Sequence, residues 1–110
     1  MHTVYAYDSY YGIVIESERH DICLSNYNRV KALAKAFNAI IIHESKSARK
    51  GDVLNREIQI RLKAYAHETI IFRDALDTVI KSINTYEPLN KAYYHVSTIE
   101  RIDARFGLPE

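Results

Sequence analysis

The sequence predicts an α+β fold, in which a small antiparallel sheet near the N-terminus is followed by helices. Apolar and polar residues alternate at the start of the chain, an aliphatic run follows an amphipathic segment, and residues 52–86 contain neither Gly nor Pro. Alternation is typical of strands, and a longer apolar repeat is typical of helices. We expect one domain over residues 1–110, with a sheet unit (1–44), a long helical stretch (52–86) and a C-terminal helix (97–106).

The N-terminal unit is predicted to be a β-hairpin extended by a third strand. Residues 3–9 alternate in the way that a half-buried strand does, and a turn at residues 8–10 joins them to an aliphatic strand at 12–17. The short apolar run at residues 22–24 is a further strand. The hairpin therefore forms one side of a small antiparallel sheet.

One helix is predicted to pack against this sheet. Ser25 or Asn26 is a suitable N-cap, and the helix runs to about Asn38. Its apolar face consists of Val30, Leu33, Ala34 and Phe37. The aliphatic run at residues 39–43 then predicts a buried strand, because it is short and β-branched.

Residues 52–86 carry an apolar stripe at heptad spacing. Its members are Ile58, Leu62, Tyr65, Thr69, Phe72, Leu76, Val79, Ile83 and Tyr86. Asp52 is a suitable N-cap and Pro88 a stop. A continuous or kinked helix would bury part of this stripe against a second copy or a partner, as coiled coils do. A break near residues 67–69 would instead give two antiparallel helices that cover each other. In both arrangements Phe72 and Leu76 are buried.

The C-terminal segment carries the signature of a short helix. Ser97 and Glu100 have the spacing of a capping box, in which the two side chains satisfy backbone N–H groups at a helix start. Gly107 and Pro109 then predict where this helix ends. We therefore expect a helix over residues 97–106.

Composition favours a cytoplasmic protein without a membrane partner. The single Cys23 has no other cysteine in the chain to pair with, and its apolar neighbours suggest burial. No apolar run approaches the length of a membrane span. Nine Tyr and no Trp are unusual, and Tyr side chains suit both strands and interfaces.

The basic residues are concentrated in one part of the chain. Residues 25–63 contain nine Lys or Arg against three Asp or Glu, a net +6, whereas the whole chain carries +1. Such a face would suit an acidic protein or phosphates, although these side chains also fit ordinary solvated surfaces. The candidate partner-binding residues are Arg49, Lys50, Arg56, Lys63, Tyr5, Tyr7, Tyr93 and Tyr94.

Support for catalysis is sparse, and we expect no cofactor and no bound metal. Glu44 and Lys46 follow an apolar strand with the Glu-x-Lys spacing of one class of metal-dependent nucleases. Three His-acid dipeptides occur, but none has two His residues one helical turn apart. The leading hypothesis is a small non-enzymatic regulator that binds proteins and itself through residues 52–86. A nucleic-acid-binding regulator is the alternative, and a nuclease around Glu44 is the third hypothesis.

Overall fold

A computed structural model of the chain describes residues 6–45, 48–86 and 90–102, and it confirms the α+β class. The elements in chain order are β1 (Ala6–Ser17), α1 (His20–Ala36), β2 (Ile40–Glu44), β3 (Ala48–Lys50), β4 (Val53–Tyr65), α2 (Ala66–Tyr86) and β5 (Lys91–Ile102). The antiparallel sheet has the order β2-β4-β1-β5, and β3 continues the β2 edge along β4. With β2 and β3 counted as one edge strand, this is a βαββαβ arrangement of the ferredoxin-like type.

The predicted N-terminal hairpin is wrong, because β1 is one uninterrupted strand. Its pairing with β4 is regular from Ala6 to Ser17. Asp8, which suggested a turn, instead accepts hydrogen bonds from Arg61 Nε and Nη2 at 2.8 and 2.6 Å. A register shift between Asp8 and Ser9 in the pairing with β5 is the irregularity that remains.

Helix α1 begins earlier than the capping residues suggested. The predicted strand at residues 22–24 and the predicted N-cap both lie inside it, since the apolar spacing extends back to Cys23. Its buried side chains are Cys23, Asn26, Tyr27, Val30 and Ala34. Its predicted end is confirmed, because Asn38 has φ 57° and the N–H of Ala39 donates to Ala34 O at 2.9 Å. This is a Schellman motif.

The strand predicted after α1 is present as β2, but it is not buried. Ile40 and Ile42 are 56% and 49% exposed, because β2 lies at an edge of the sheet. A register shift between Ile41 and His43 further interrupts its pairing with β4.

The long helix over residues 52–86 is wrong in its first half, where β4 lies instead. Gly51, with φ 65°, and Asp52 connect β3 to β4 in a two-residue turn, as expected for a hairpin with Gly at the first central position. The side chains of β4 that are buried alternate with polar ones; they are Leu54, Ile58, Ile60, Leu62 and Ala64. The alternative prediction, a break near residues 67–69, falls close to the boundary between Tyr65 and Ala66. That boundary separates a strand from a helix, however, and not two helices.

The second half of the stripe is helical, as expected. Phe72 and Leu76 are 1% and 0% exposed, which confirms their predicted burial. Thr69, the polar member, donates its hydroxyl to Tyr65 O at 3.0 Å. Helices α1 and α2 share one hydrophobic core with β1 and β4. Within the residues that the structure describes, no helix is long and apolar enough to cross a membrane.

The predicted C-terminal helix is also wrong. Residues 97–102 belong to β5, which pairs with β1, and residues 103–106 lie outside the described chain. Strand β5 as a whole is rich in Tyr, Val, Thr and Ile, whose side chains favour strands. This preference and the pairing with β1 outweigh the capping signature at Ser97 and Glu100.

Candidate functional site

The sheet has one face covered by helices and one face that the described helices leave open. In β1 the odd-numbered side chains from Tyr11 to Ser17 point toward the helices, so the even-numbered ones point away. The register places the following side chains on this open face: Asp8, Tyr10, Gly12, Val14 and Glu16; Asn55, Glu57, Gln59, Arg61 and Lys63; Lys91, Tyr93, His95 and Ser97. Polar and aromatic residues dominate it.

An ion pair lies at one end of the open face. The hydrogen bonds from Arg61 hold the pKa of the Asp8 carboxyl below its usual range, although burial of Asp8 opposes this. The Arg61 guanidinium also lies 5.3 Å from the centre of the Tyr10 ring, which is a cation–π distance. The positive charge of Arg61 is therefore balanced by the Asp8 carboxylate within the sheet.

A shallow hollow of about 250 Å³ lies over Gly12 at the middle of the open face. Its lining residues are Tyr10, Tyr11, Gly12, Ile42, Gln59, Ile60, His95, Val96 and Ser97. Gln59 and His95 are the direct cross-strand neighbours of Gly12 on its two sides. The hollow thus spans strands β4, β1 and β5, and Ile42 of β2 borders it.

The outer edge of β5 is partly tied to helix α2. The Asn84 side-chain amide donates to Ala92 O at 2.9 Å, and the Ala92 N–H donates to Asn84 Oδ1 at 2.7 Å. Asn84 therefore occupies a backbone position where a further strand would bind. The Ser17 hydroxyl donates to Asn90 Oδ1 at 2.6 Å and fixes the start of the strand.

The tyrosines predicted to bind a partner occupy different surroundings. Tyr93 lies on the open face and is 41% exposed. Tyr94 points to the helix side, where burial and a hydrogen bond to Asp77 raise its pKa to about 12. Tyr7 is half-buried in β1, and Tyr5 lies outside the described residues.

The basic residues are not gathered on one face. Arg56 lies on the helix side, 5.0 Å from the centre of the Tyr27 ring, whereas Lys63 belongs to the open face. Arg49 and Lys50 are in the short edge strand β3. Of these residues, the structure describes the side chains of Arg49, Arg56 and Lys63, and it does not bring them onto one surface.

Glu44 has cationic and phenolic partners. Its Oε1 accepts from the Tyr27 hydroxyl at 2.5 Å and contacts Lys31 Nζ at 3.0 Å, and these contacts lower the pKa of Glu44. Burial, with the bond to Glu44, raises the pKa of Tyr27. Lys46 lies outside the described residues, among which no three His, Cys, Asp or Glu side chains are grouped to hold a metal. Cys23 is buried, and burial raises the pKa of its thiol.

Several residues of this region carry no local signal in the sequence. Gly12, Gln59 and His95 meet because β4 and β5 both lie beside β1, whereas the apolar stripe predicts a helix in place of β4. The strict alternation from Ile58 to Ala64 was the signal that could have revealed it. Asn84 carries no local motif, since its partner Ala92 is eight residues further along the chain and belongs to a different element.

Comparison with known proteins identifies similar folds. No protein-family model and no curated protein matches the sequence. The chain resembles a de novo designed protein, Foldit4, with a TM-score of 0.62 and 10% identity over 84% of this chain and 99% of that one. It also resembles an amidase of the hydantoinase/carbamoylase family from Burkholderia phymatum, with a TM-score of 0.59 and 12% identity over 91% of this chain and 30% of the amidase. At such low identities the likeness shows the fold alone.

Proposed function

We propose that this chain is a protein-binding module that self-associates by pairing β5 with β5 of a second copy. The observation that supports this is the position of β5, a strand of 12 residues that is outermost among the described strands and has β1 on one side. Residues 92–99 contain no Gly, Pro, Lys, Arg, Asp or Glu. A long edge strand without such residues pairs readily with another strand. The proposal keeps the regulatory, protein-binding role expected from the sequence but moves the contact from a helix to a strand.

The opposite edge of the sheet is much less suited to pairing. β2 has five residues with a register shift, and β3 has three. Short edge strands and bulges are devices that discourage edge-to-edge association. The irregularity of β5 lies beyond Thr98, so its middle stays regular. The contrast favours β5 as the edge that takes a partner.

The contacts of Asn84 indicate which backbone groups of β5 point outward. In an antiparallel strand, the N–H and C=O of one residue point to the same side and alternate along the chain. Since Ala92 bonds Asn84 on the outside, Tyr94 and Val96 also present their groups outward. A two-fold axis through His95 would place Tyr94 opposite Val96 of the second copy, an aromatic–β-branched pair that stabilises sheets.

Light scattering tests this proposal. We expect the wild-type chain to have twice the monomer mass of 12.8 kDa, and Val96→Lys to be monomeric with an unchanged fold by circular dichroism, because a Lys on an edge strand opposes pairing. Ile70→Lys, at a side chain 61% exposed on α2, is the matched control and should remain dimeric. A monomeric wild type, or dissociation by Ile70→Lys alone, would refute pairing through β5.

Cross-linking tests the register. His95 directs its backbone groups toward β1, so its counterpart across the two-fold axis forms a non-hydrogen-bonded pair with Cα atoms about 4.5 Å apart. This distance suits a disulfide. His95→Cys should therefore form a covalent dimer on mild oxidation, whereas Ala32→Cys, exposed on α1, should not. Cys23 does not interfere, since it is 1% exposed. Equal cross-linking of both variants would contradict the register.

The cytoplasmic location, nucleic-acid binding and nuclease activity stay predictions. A cytoplasmic location fits the single reduced cysteine, and nucleic acid stays the alternative partner of the basic residues. That alternative has less support, because Lys31 contacts Glu44, Arg61 contacts Asp8, and Arg56 lies on the helix side. Nuclease activity around Glu44 has the least support, since the groups that contact Glu44 are not carboxylates.

A further inference from the structure

The hollow over Gly12 exists because the central strand lacks a side chain at its midpoint. A Cβ built on Gly12 would meet nothing nearer than Glu57 Oε1, at 3.8 Å, so the position has room for a larger residue. Glycine weakens a strand interior, and it often marks a site where a ligand approaches the backbone closely. Neither its space nor its strand position requires Gly12 for folding.

Two side chains with both donor and acceptor groups flank the hollow. The amide of Gln59 and the imidazole of His95 are exposed on the strands to either side of Gly12. These strands are two spacings apart, about 9.5 Å. That width fits a planar ring that makes hydrogen bonds at opposite edges. Tyr10 adds an aromatic wall and Ile42, 49% exposed, an apolar one.

The charge on the open face argues for recognition of the ring itself. Among the described side chains that β1, β4 and β5 place on this face, the carboxylates are Asp8, Glu16 and Glu57 and the Lys and Arg cations are Arg61, Lys63 and Lys91, so these six sum to zero. A surface that binds through phosphates carries an excess of Lys and Arg. The group recognised at the hollow is therefore a neutral ring rather than a phosphate.

We propose that the hollow over Gly12 binds a nucleobase, stacked beside Tyr10 and hydrogen-bonded between Gln59 and His95. Nucleobases are neutral, planar and lined by donors and acceptors on their edges, and proteins hold unpaired bases by aromatic stacking with contacts to those edges. The base reaches the hollow either as a free nucleoside or as an unpaired base of single-stranded RNA. This site goes beyond the pairing of β5 and does not depend on it.

NMR of the ¹⁵N-labelled protein tests the proposal. The four ribonucleosides and short single-stranded oligonucleotides are each titrated into the protein. We expect saturable shifts at the amides of Gly12, Gln59 and His95. Gly12→Val should weaken binding at least roughly tenfold while keeping or raising the melting temperature, because Val favours strands. Gln59→Ala should also weaken it. Asn55→Ala, on the same face but outside the hollow, is the control and should bind as wild type.

The two sources of the base give different results. Equal affinity for nucleoside and oligonucleotide, without salt dependence, would identify a free nucleoside as the ligand. Tighter oligonucleotide binding that weakens with salt would identify RNA, because phosphate contacts release counterions. The proposal is overturned if no nucleoside or oligonucleotide shifts these amides at concentrations of about 10 mM, or if Gly12→Val binds as wild type.

Discussion

The covered and open faces of the same strands are held together by different forces. On the covered face, Ile13, Ile58 and Leu76 are 0% exposed, and Phe72 packs edge-on against Tyr11 and Phe37 at ring distances of 5.1 and 5.2 Å. On the open face, cross-strand contacts are polar, as between Asp8 and Arg61. Burial of apolar area therefore supplies the stability, whereas the open face tolerates polar residues and a hollow.

The covered face should show the largest effect of a single substitution. Ile58→Ala removes a fully buried side chain from β4 and should lower the free energy of unfolding by about 2–5 kcal/mol. Gln59→Ala, its exposed neighbour on the other face, should change it by less than about 0.5 kcal/mol. Urea denaturation of both variants measures the difference. Similar losses in the two variants would show that the two faces do not differ as described.

The same alternation explains why the fold could be predicted only in part. Ile58 and Leu62 are four residues apart, and this spacing is shared by a helix and by one face of a strand. Ile60, apolar between polar Gln59 and Arg61, distinguishes the two, because it fits only the period of a strand. In α2 the spacing from Phe72 to Leu76 and Ile83 has no such intermediate, so that half was correctly predicted.

The sheet edges and the candidate sites required tertiary information. The strand pattern of residues 39–43 predicted β2 but not its exposure, which depends on its position at the edge. The local capping signature at Ser97 predicted a helix, but pairing with β1 decided the outcome. Gly12, Gln59 and His95 come from three strands, so no local spacing could connect them.

The link between the helix layer and the β5 edge should give an intermediate effect. Asn84→Ala removes both hydrogen bonds to Ala92 and should lower the free energy of unfolding by about 1 kcal/mol more than Thr85→Ala does. Thr85 is an exposed neighbour, and its substitution changes helix propensity by a similar amount. Denaturation of the two variants measures this difference. Hydrogen exchange at the Ala92 amide should also become faster in Asn84→Ala; unchanged exchange there would mean that Asn84 does not protect the edge.

The open-face ion pair should give the smallest effect, visible as a dependence of stability on pH. The pKa of Asp8 is lower in the folded chain than in the unfolded chain, so the pair stabilises the fold above the unfolded value, about 3.9. This contribution is lost as the pH falls from that value through the folded pKa. Melting temperatures between pH 7 and pH 2 should therefore fall more steeply for wild type than for Asp8→Asn.

The convergence of the two curves distinguishes this ion pair from general acid denaturation. Asp8→Asn should melt lower than wild type at pH 7, and the gap should narrow in acid, because protonated Asp8 no longer pairs with Arg61. Asp74→Asn, an exposed carboxylate on α2, is the matched control and should keep the wild-type slope. A gap that stays constant down to pH 2 would mean that Asp8 acts through packing, and the open face would then resemble the covered one.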